Sequence, residues 1–404
     1  MTPDLVVVGA GAMGAWTALV AQRAGMQVTL VDAYGAGHPR ATSGDETRII
    51  RAAHAADPFY ALWSRLARDE WIRFGDEIGE ALFVPSGVLW FAHRDDGWES
   101  ASQRTLTDLG IPTERIAGDG VRHRWPQIAT DDLTFALHEP EAGVIMARRG
   151  IVAVARAFQR EGGRLALGWA EPGMARGRRL LDVRTADGGK LTAGSFVFAT
   201  GPWLSRVFPR VLGDLIRVTR QDVYFVGPSA GDGRFRPQTQ PAWVDYDRGF
   251  YGIPDVEGHG FKVAPDADGP PFDPSLDDRV TSPATAAQMR GYLALRFPAL
   301  ARAPIVETRV CQYESTPDTH FIIDRHPDLE NTWIAGGGSG HGFKHGPVIG
   351  RHVATLVGAD GGGPHGMVVP GPPDDRFSVT RPRRDAPHLR TGGASRTTGR
   401  SCGG

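Results

Sequence analysis

Lysine is nearly missing from this 404-residue chain: of its 45 lysines and arginines only Lys190, Lys262 and Lys344 are lysine, leaving 42 arginines. A composition that uses arginine wherever positive charge suffices singles out the places where it does not. An ammonium is a compact point charge that deprotonates when desolvated, whereas a guanidinium is a planar fork that stays charged. Lys344 lies in the glycine-rich stretch GGGSGHGFKHG. Either it is a surface leftover, or that loop needs the smaller, tunable cation.

Cysteine is scarce too, with only Cys311 and Cys402, so a disulfide framework is excluded and a reducing, cytoplasmic setting is expected. No apolar run approaches the roughly 18 residues of a membrane span. The apolar start MTPDLVVVGAGAMGAWTALVA lacks the basic flank of a signal peptide. Net charge is −1 with no basic block among aromatics, which argues against a nucleic-acid partner. The 13 histidines are scattered without HExxH or clustered Cys/His spacing, so no metal is expected. Hydrophobic content of 41% and charged content of 23% are ordinary globular values, and the length suits two domains.

What is present begins at the N-terminus. DLVVVGAGAMGAWTALVAQRAGMQVTLVDA reads as strand, tight turn, helix and strand, the helix running from about residue 12 to 24 and stopping at Gly25. Asp57 and Pro58 have the pattern of an N-cap and first helical position for the helix that follows. Buried strands are expected at SGVLWFAH, AGVIMA, GSFVFATG, HFIID and NTWIAGGG. A helix is expected near 284–297 and another near 346–357. Between residues 216 and 309 the strand–helix alternation breaks, which suggests a separate, mainly antiparallel layer. Beyond residue 360 the chain is rich in Gly, Pro, Arg and Thr, and residues 361–404 read as a largely disordered tail.

Gly9, Gly11 and Gly14 form GxGxxG between the first strand and helix, and Asp32 closes the next strand 18 residues after Gly14. Gly9 makes the turn, Gly11 lets the backbone approach a pyrophosphate, and Gly14 lets helix and strand pack closely. The helix N-terminus attracts the anion. Asp32 is placed for a ribose hydroxyl and would repel a 2′-phosphate, against NADP. The motif itself does not choose between FAD and NAD.

The next segment, ATSGDETRIIR at 41–51, makes that choice. With the glycine unit it resembles the flavin amine oxidases of the monomeric sarcosine oxidase and N-methyltryptophan oxidase family, within the wider D-amino-acid-oxidase-like fold. Four further stretches match in order: ATGPW at 199–203, GFYGIP with GHGFKVA at 249–264, RVCQYESTPDTHFIID at 309–324, and GGGSGHGFKHG. The resemblance implies an α/β fold, with a doubly wound Rossmann-type FAD-binding domain and a second, mainly antiparallel β substrate domain. On that basis residues 1–85, 145–215 and 310–360 are expected to bind FAD, and 86–144 with 216–309 to hold the substrate. A monomer is expected, acting on a small amino acid and O2.

The resemblance also implies a chemistry. Hydride leaves the carbon beside an amine nitrogen for the flavin, the imine hydrolyses, and the electrons pass to oxygen as hydrogen peroxide. Cys311 matches the family cysteine joined through sulfur to the flavin; Arg51 and Lys344 match the cations that receive the substrate carboxylate. Lys262 matches the oxygen-activating lysine, whose ammonium would stabilise superoxide as it forms. Arg48 is implied to point at the flavin, and Tyr251 and Tyr313 to wall the substrate pocket. Further cofactor contacts are implied for Ser43, Thr47, Thr200, Gly201, Trp203, Gly338, Gly340, His341, Gly342 and Lys344, beside Gly9, Gly11, Gly14 and Asp32.

The chain departs from the family where sarcosine-type members carry histidines. It has Ser43 and Gly44 in TSGDETR, and Asp266 in KVAPD. Losing imidazoles changes pocket charge, so sarcosine is not singled out as substrate. A larger or cyclic amino acid fits as well. Two alternatives stay open: a dehydrogenase of the same fold with another electron acceptor, and a non-catalytic flavoprotein subunit.

Overall fold

A computed structural model of the chain describes residues 2–359 and 368–382. Its first strand, Leu5–Val8, is apolar throughout and fully buried, as a strand covered on both faces must be. It lies inside a six-stranded sheet. From edge to edge the strands are Ile322–Arg325, Thr332–Gly336, Ser195–Phe198, Leu5–Val8, Val28–Asp32 and Arg164–Leu167. All neighbours run parallel except the Ile322–Arg325 edge strand.

Helices Ala12–Arg23, Ala147–Arg160 and Gly346–Leu356 cover one face of that sheet. Gly350 lets two of them close up, since a Cβ there would sit 2.6 Å from main-chain carbon of Trp16. The other face carries a three-stranded antiparallel sheet, Ala170–Pro172, Asp182–Thr185 and Lys190–Thr192, with two short helices beside it.

The second layer is an eight-stranded sheet. Its order is Ile305–Ser315, Arg217–Val226, Phe261–Pro265, Phe250–Ile253, Ala242–Asp245, Val88–Ala92, Phe135–Glu139 and Glu114–Ala117. Only the Ala242–Asp245 and Val88–Ala92 pair is parallel. Helix Pro283–Arg296 packs Met289, Tyr292 and Leu293 against Trp243 and Phe261 on this sheet.

Helix Pro58–Ile78 starts as its residues predict. The Asp57 side chain accepts hydrogen bonds from the amides of Phe59 and Tyr60, and Gly79 in the left-handed conformation ends it. Just before it, Thr47–Ile50 pairs with Gly143–Met146, carrying Arg48 and Arg51 toward the space between the two large sheets.

The expected disordered tail needs correction in one part. Residues 368–382 lie against the body of the protein, with Phe377 only 2% exposed among Phe59, Trp63 and Phe321. Arg376 ion-pairs with Asp57, and Arg381 with Asp318. One aromatic anchor and two partly buried ion pairs hold a segment whose composition alone would leave it loose. The rest of the expected tail lies outside the described residues.

Candidate active site

Between the two sheets runs a single long cleft whose empty space, mouth included, is about 1700 Å³. One end is the glycine turn. Gly9 adopts φ +105°, and a Cβ there would lie 2.4 Å from the Ala199 carbonyl oxygen. A Cβ on Gly14 would strike the Gly9 carbonyl oxygen at 1.9 Å, so Gly14 serves packing and does not line the cleft. Gly11 differs: its nearest neighbour would be Ser43 Oγ at 3.4 Å. The protein does not need glycine at 11 for its own packing; the bare backbone leaves the cleft open. Asp32 accepts the amides of Ala10, Tyr34 and Gly35 at 2.7, 2.7 and 2.8 Å, bracing the turn from the next strand.

Further along the cleft wall stand Ser43, Thr200, Gly201, Trp203, Gly338, Gly340, His341 and Gly342. Buried oxygens of Thr42, Ser43, Thr200 and Glu314 on this wall have no hydrogen-bond partner among the described residues. Unsatisfied buried polar atoms are costly, so a cleft that collects them is built for a polar ligand. An elongated dinucleotide with many hydrogen-bonding groups fits both the glycine turn and these oxygens. The strands and loops that carry the flavin-family motifs therefore present the atoms an FAD would need.

Cys311 borders the same cleft. The Arg48 guanidinium donates to its Sγ at 3.3 Å and to the Thr42 carbonyl oxygen at 2.7 Å. Arg48 also ion-pairs with buried Asp45, which raises its proton affinity despite burial. Tyr251 and Tyr313 line the cleft here, and burial raises the Tyr251 phenol further above its ordinary value.

The far end is aromatic. Arg51 lies 5.2 Å over the Trp90 ring and 5.9 Å from that of Trp98, and donates to the Tyr246 hydroxyl at 3.3 Å and to the Ala53 carbonyl. Lys344 shares this lining, with Nζ donating to the His341 carbonyl at 2.9 Å. Burial, and then the Arg51 charge, push its ammonium well below the usual lysine range. Lys344 is 3% exposed, so it is no surface leftover.

Lys262 and Thr47 depart from expectation by not lining the cleft. Lys262 is 1% exposed and lies one layer behind, 6.0 Å from the Tyr251 ring. Its ammonium is ion-paired with Asp45 and donates to the Thr47 carbonyl at 3.0 Å. Burial pushes it down to about 8 even with that partner. Burial alone would lift the Asp45 carboxyl, but Lys262 and Arg48 hold it well below the usual carboxylate range. Arg309 reaches the same carboxylate at 3.1 Å.

Sequence reasoning missed Asp45, whose signal was an acid three residues before a motif arginine. It also missed Glu314, a carboxyl that burial raises to about 7 although it accepts the Gly338 amide. Nor did it join His54, His341 and His345, three buried histidines whose ring nitrogens come within 4.8 Å of one another. Burial, with Arg51 and Lys344 close by, pushes His54 and His345 well below the usual imidazole range. The same cations raise the cost of a divalent ion at that cluster.

A parallel sheet with a glycine turn, crossed by an antiparallel layer that carries cations and aromatics, defines an oxidoreductase that holds its dinucleotide between two layers. The family model for FAD dependent oxidoreductases matches residues 4–356, and the chain belongs to that family. It is 30% identical over 368 residues to the monomeric sarcosine oxidase of Streptomyces avermitilis, covering 88% of this chain and 94% of that one. Its identity to the N-methyl-L-tryptophan oxidase of Salmonella dublin is 25% over 361 residues, 88% and 95% of the two chains. The L-proline dehydrogenase of P. horikoshii shares the fold with a TM-score of 0.80 at 21% identity, covering 94% of this chain and 97% of that one. NikD, an amino acid oxidase of nikkomycin biosynthesis, gives 0.77 at 20% identity, with 93% and 97% covered. The protein is an FAD-dependent enzyme acting on amine donors.

Proposed function

We propose that the protein oxidises the C–N bond of a secondary or N-methyl amino acid, yielding an imine and hydrogen peroxide. One observation carries the reading: Arg51 and Lys344, the two cations expected to receive a carboxylate, line the same cleft as the dinucleotide turn and Cys311. A bound flavin would accept hydride from the substrate carbon and hand electrons to oxygen.

The residues divide the remaining work. Arg51, fixed against Trp90, and Lys344 orient the carboxylate, so that the reacting carbon is positioned rather than left to chance. Burial holds the Lys344 ammonium well below the usual lysine range, and an arriving carboxylate would favour its charged form. Tyr251, Tyr313, Tyr246 and Trp90 exclude water around the rest of the substrate. Cys311 would form the thioether to the flavin, with Arg48 beside its sulfur. Gly11, Asp32, Ser43 and Thr200 would hold the dinucleotide.

A second reading rests on Lys262. Its charge is already matched by Asp45, which weakens the field an oxygen-derived anion would meet. That favours a dehydrogenase handing electrons to another acceptor. Anaerobic addition of secondary and N-methyl amino acids should bleach the flavin band, and admitting air should restore it with one peroxide per turnover. Bleaching that air does not rapidly reverse supports the dehydrogenase. Absence of bleaching across the panel overturns both readings.

A further inference from the structure

Glu314 brings to the cleft a carboxyl with one oxygen left over. Its Oε1 accepts the Gly338 amide at 3.3 Å, while Oε2 is buried and meets no hydrogen-bond partner among the described residues. The side chain is 6% exposed and lies near the end of strand Ile305–Ser315, three residues and about 10 Å beyond Cys311. Glycines keep the space around it open. A Cβ on Gly201 would lie 3.6 Å from Oε2, one on Gly336 3.8 Å from it, and one on Gly338 3.3 Å from Oε1. Asp32, by contrast, accepts three backbone amides at the glycine turn.

Among the described residues no cation compensates Glu314. Val218 pairs with it on the neighbouring strand, and Arg217, next in line, is exposed. Helix Leu204–Val207 sets Leu204 against Gly336, and its Arg206 is ion-paired with Asp273. Helix Ala12–Arg23 brings Met13 to Gly338. In the loop beyond Gly338, Nε2 of His341 is bonded to the Thr319 carbonyl at 2.9 Å, and Asp318 is paired with Arg381. Burial, opposed only by the Gly338 amide, therefore favours the neutral acid up to about pH 7.

We propose that Glu314 is a neutral carboxylic acid that donates a hydrogen bond from its Oε2 side to an acceptor atom of the bound FAD, so that the protein holds its cofactor with a proton on this side chain. The proposal rests on FAD binding and not on which amine is oxidised. A dinucleotide is rich in oxygen and nitrogen acceptors, and a protonated carboxyl supplies a hydrogen that a carboxylate lacks. An apolar site that keeps a carboxylic acid neutral makes it such a donor. Ionisation would remove the hydrogen and set a negative charge in the same cleft as a diphosphate. Both effects act in one direction: the cofactor is held more weakly as pH rises.

The test follows flavin release. Cys311→Ala, which has no sulfur to tether the ring, is purified with its flavin and diluted at fixed pH, and free flavin is read by its fluorescence. Its dissociation constant should climb at least about ten-fold between pH 7 and about 8.5, as the linkage of one proton requires. Glu314→Gln in the same background keeps an N–H donor and has no proton to lose. It should bind flavin within about three-fold of its parent at pH 6 and stay level up to the highest pH. A parent constant that does not move with pH overturns the proposal. An undiminished slope in Glu314→Gln overturns it too and assigns the proton to another group, as does a Glu314→Gln that already binds flavin far more weakly than its parent at pH 6. If Glu314→Gln does not fold, Glu314→Thr, with a hydroxyl donor and no charge to gain, gives the same comparison. No substrate enters the measurement, so its outcome is separate from that of the oxidation assay.

Discussion

The Lys262 ammonium is ion-paired with the Asp45 carboxylate, 217 positions away in the chain, inside a layer that the cleft itself does not reach. Asp45 also receives Arg48, and shares Arg309 with Glu46 and Glu307. Removing one partner of a buried pair costs about 3–5 kcal/mol, because the other charge is stranded. Asp45→Asn should therefore lower the midpoint of thermal unfolding markedly. A double-mutant cycle with Lys262→Met should recover part of that loss, and strict additivity of the two would contradict the pairing.

The titration of Lys262 near pH 8 sets the sign of a kinetic effect. Below that pH the residue is an ammonium and can stabilise an anion; above it the charge is lost. Reoxidation of reduced flavin by air should accordingly slow as pH rises through about 8. Stopped-flow traces between pH 6 and 10 would check it, and Lys262→Met should remove the slope. A slope of equal size in that variant would assign the effect elsewhere.

Lys344 gives a second pH dependence of the same direction. Because burial depresses its proton affinity, a carboxylate that favours the ammonium should couple ligand binding to proton uptake. Affinity for such ligands should fall with rising pH, and calorimetry in two buffers of different ionisation enthalpy should register net proton uptake. Arg51→Ala should raise KM roughly 10- to 100-fold, the range expected for a lost charged hydrogen bond. The flavin content should stay unchanged.

Gly9 and Gly11 separate folding from binding. Gly9→Ala combines a left-handed backbone with a clash against Ala199, and should yield little folded protein. Gly11→Ala meets nothing nearer than Ser43 Oγ at 3.4 Å and should fold. Its methyl group enters the cleft, so the purified variant should be colourless or weakly yellow. Full flavin content in Gly11→Ala would place the dinucleotide elsewhere.

Cys311→Ala should give folded protein whose yellow colour leaves on acid precipitation, while the wild-type pellet keeps it. Colour absent from both pellets would rule out the thioether.

Phe377 tests the corrected tail. Phe377→Ala opens a cavity among Phe59, Trp63 and Phe321 and should cost about 3–5 kcal/mol in a denaturant titration. A loss below about 0.5 kcal/mol would fit the loose tail that composition suggests.

Much of this was legible before any coordinates. The strand, glycine turn and helix at residues 5–23 follow from short-range rules, because each needs only its own neighbours in the chain. The same holds for the Asp57 cap. The motif stretches pointed to Arg48, Arg51, Cys311 and Lys344, all of which border one cleft. Residues 368–382 were misjudged because average composition is blind to a single aromatic that finds a pocket.

By itself, then, the chain determined its local elements, its dinucleotide turn and the residue types its chemistry calls for. Those depend on backbone preferences and on spacing that a few neighbouring residues enforce. Only the tertiary structure decided that Lys262 stands behind the cleft with Asp45. It also decided that His54 meets His341 and His345 near Lys344. Electrostatic partners are chosen by distance in space and by exclusion of water, and neither is written into the order of residues along the chain.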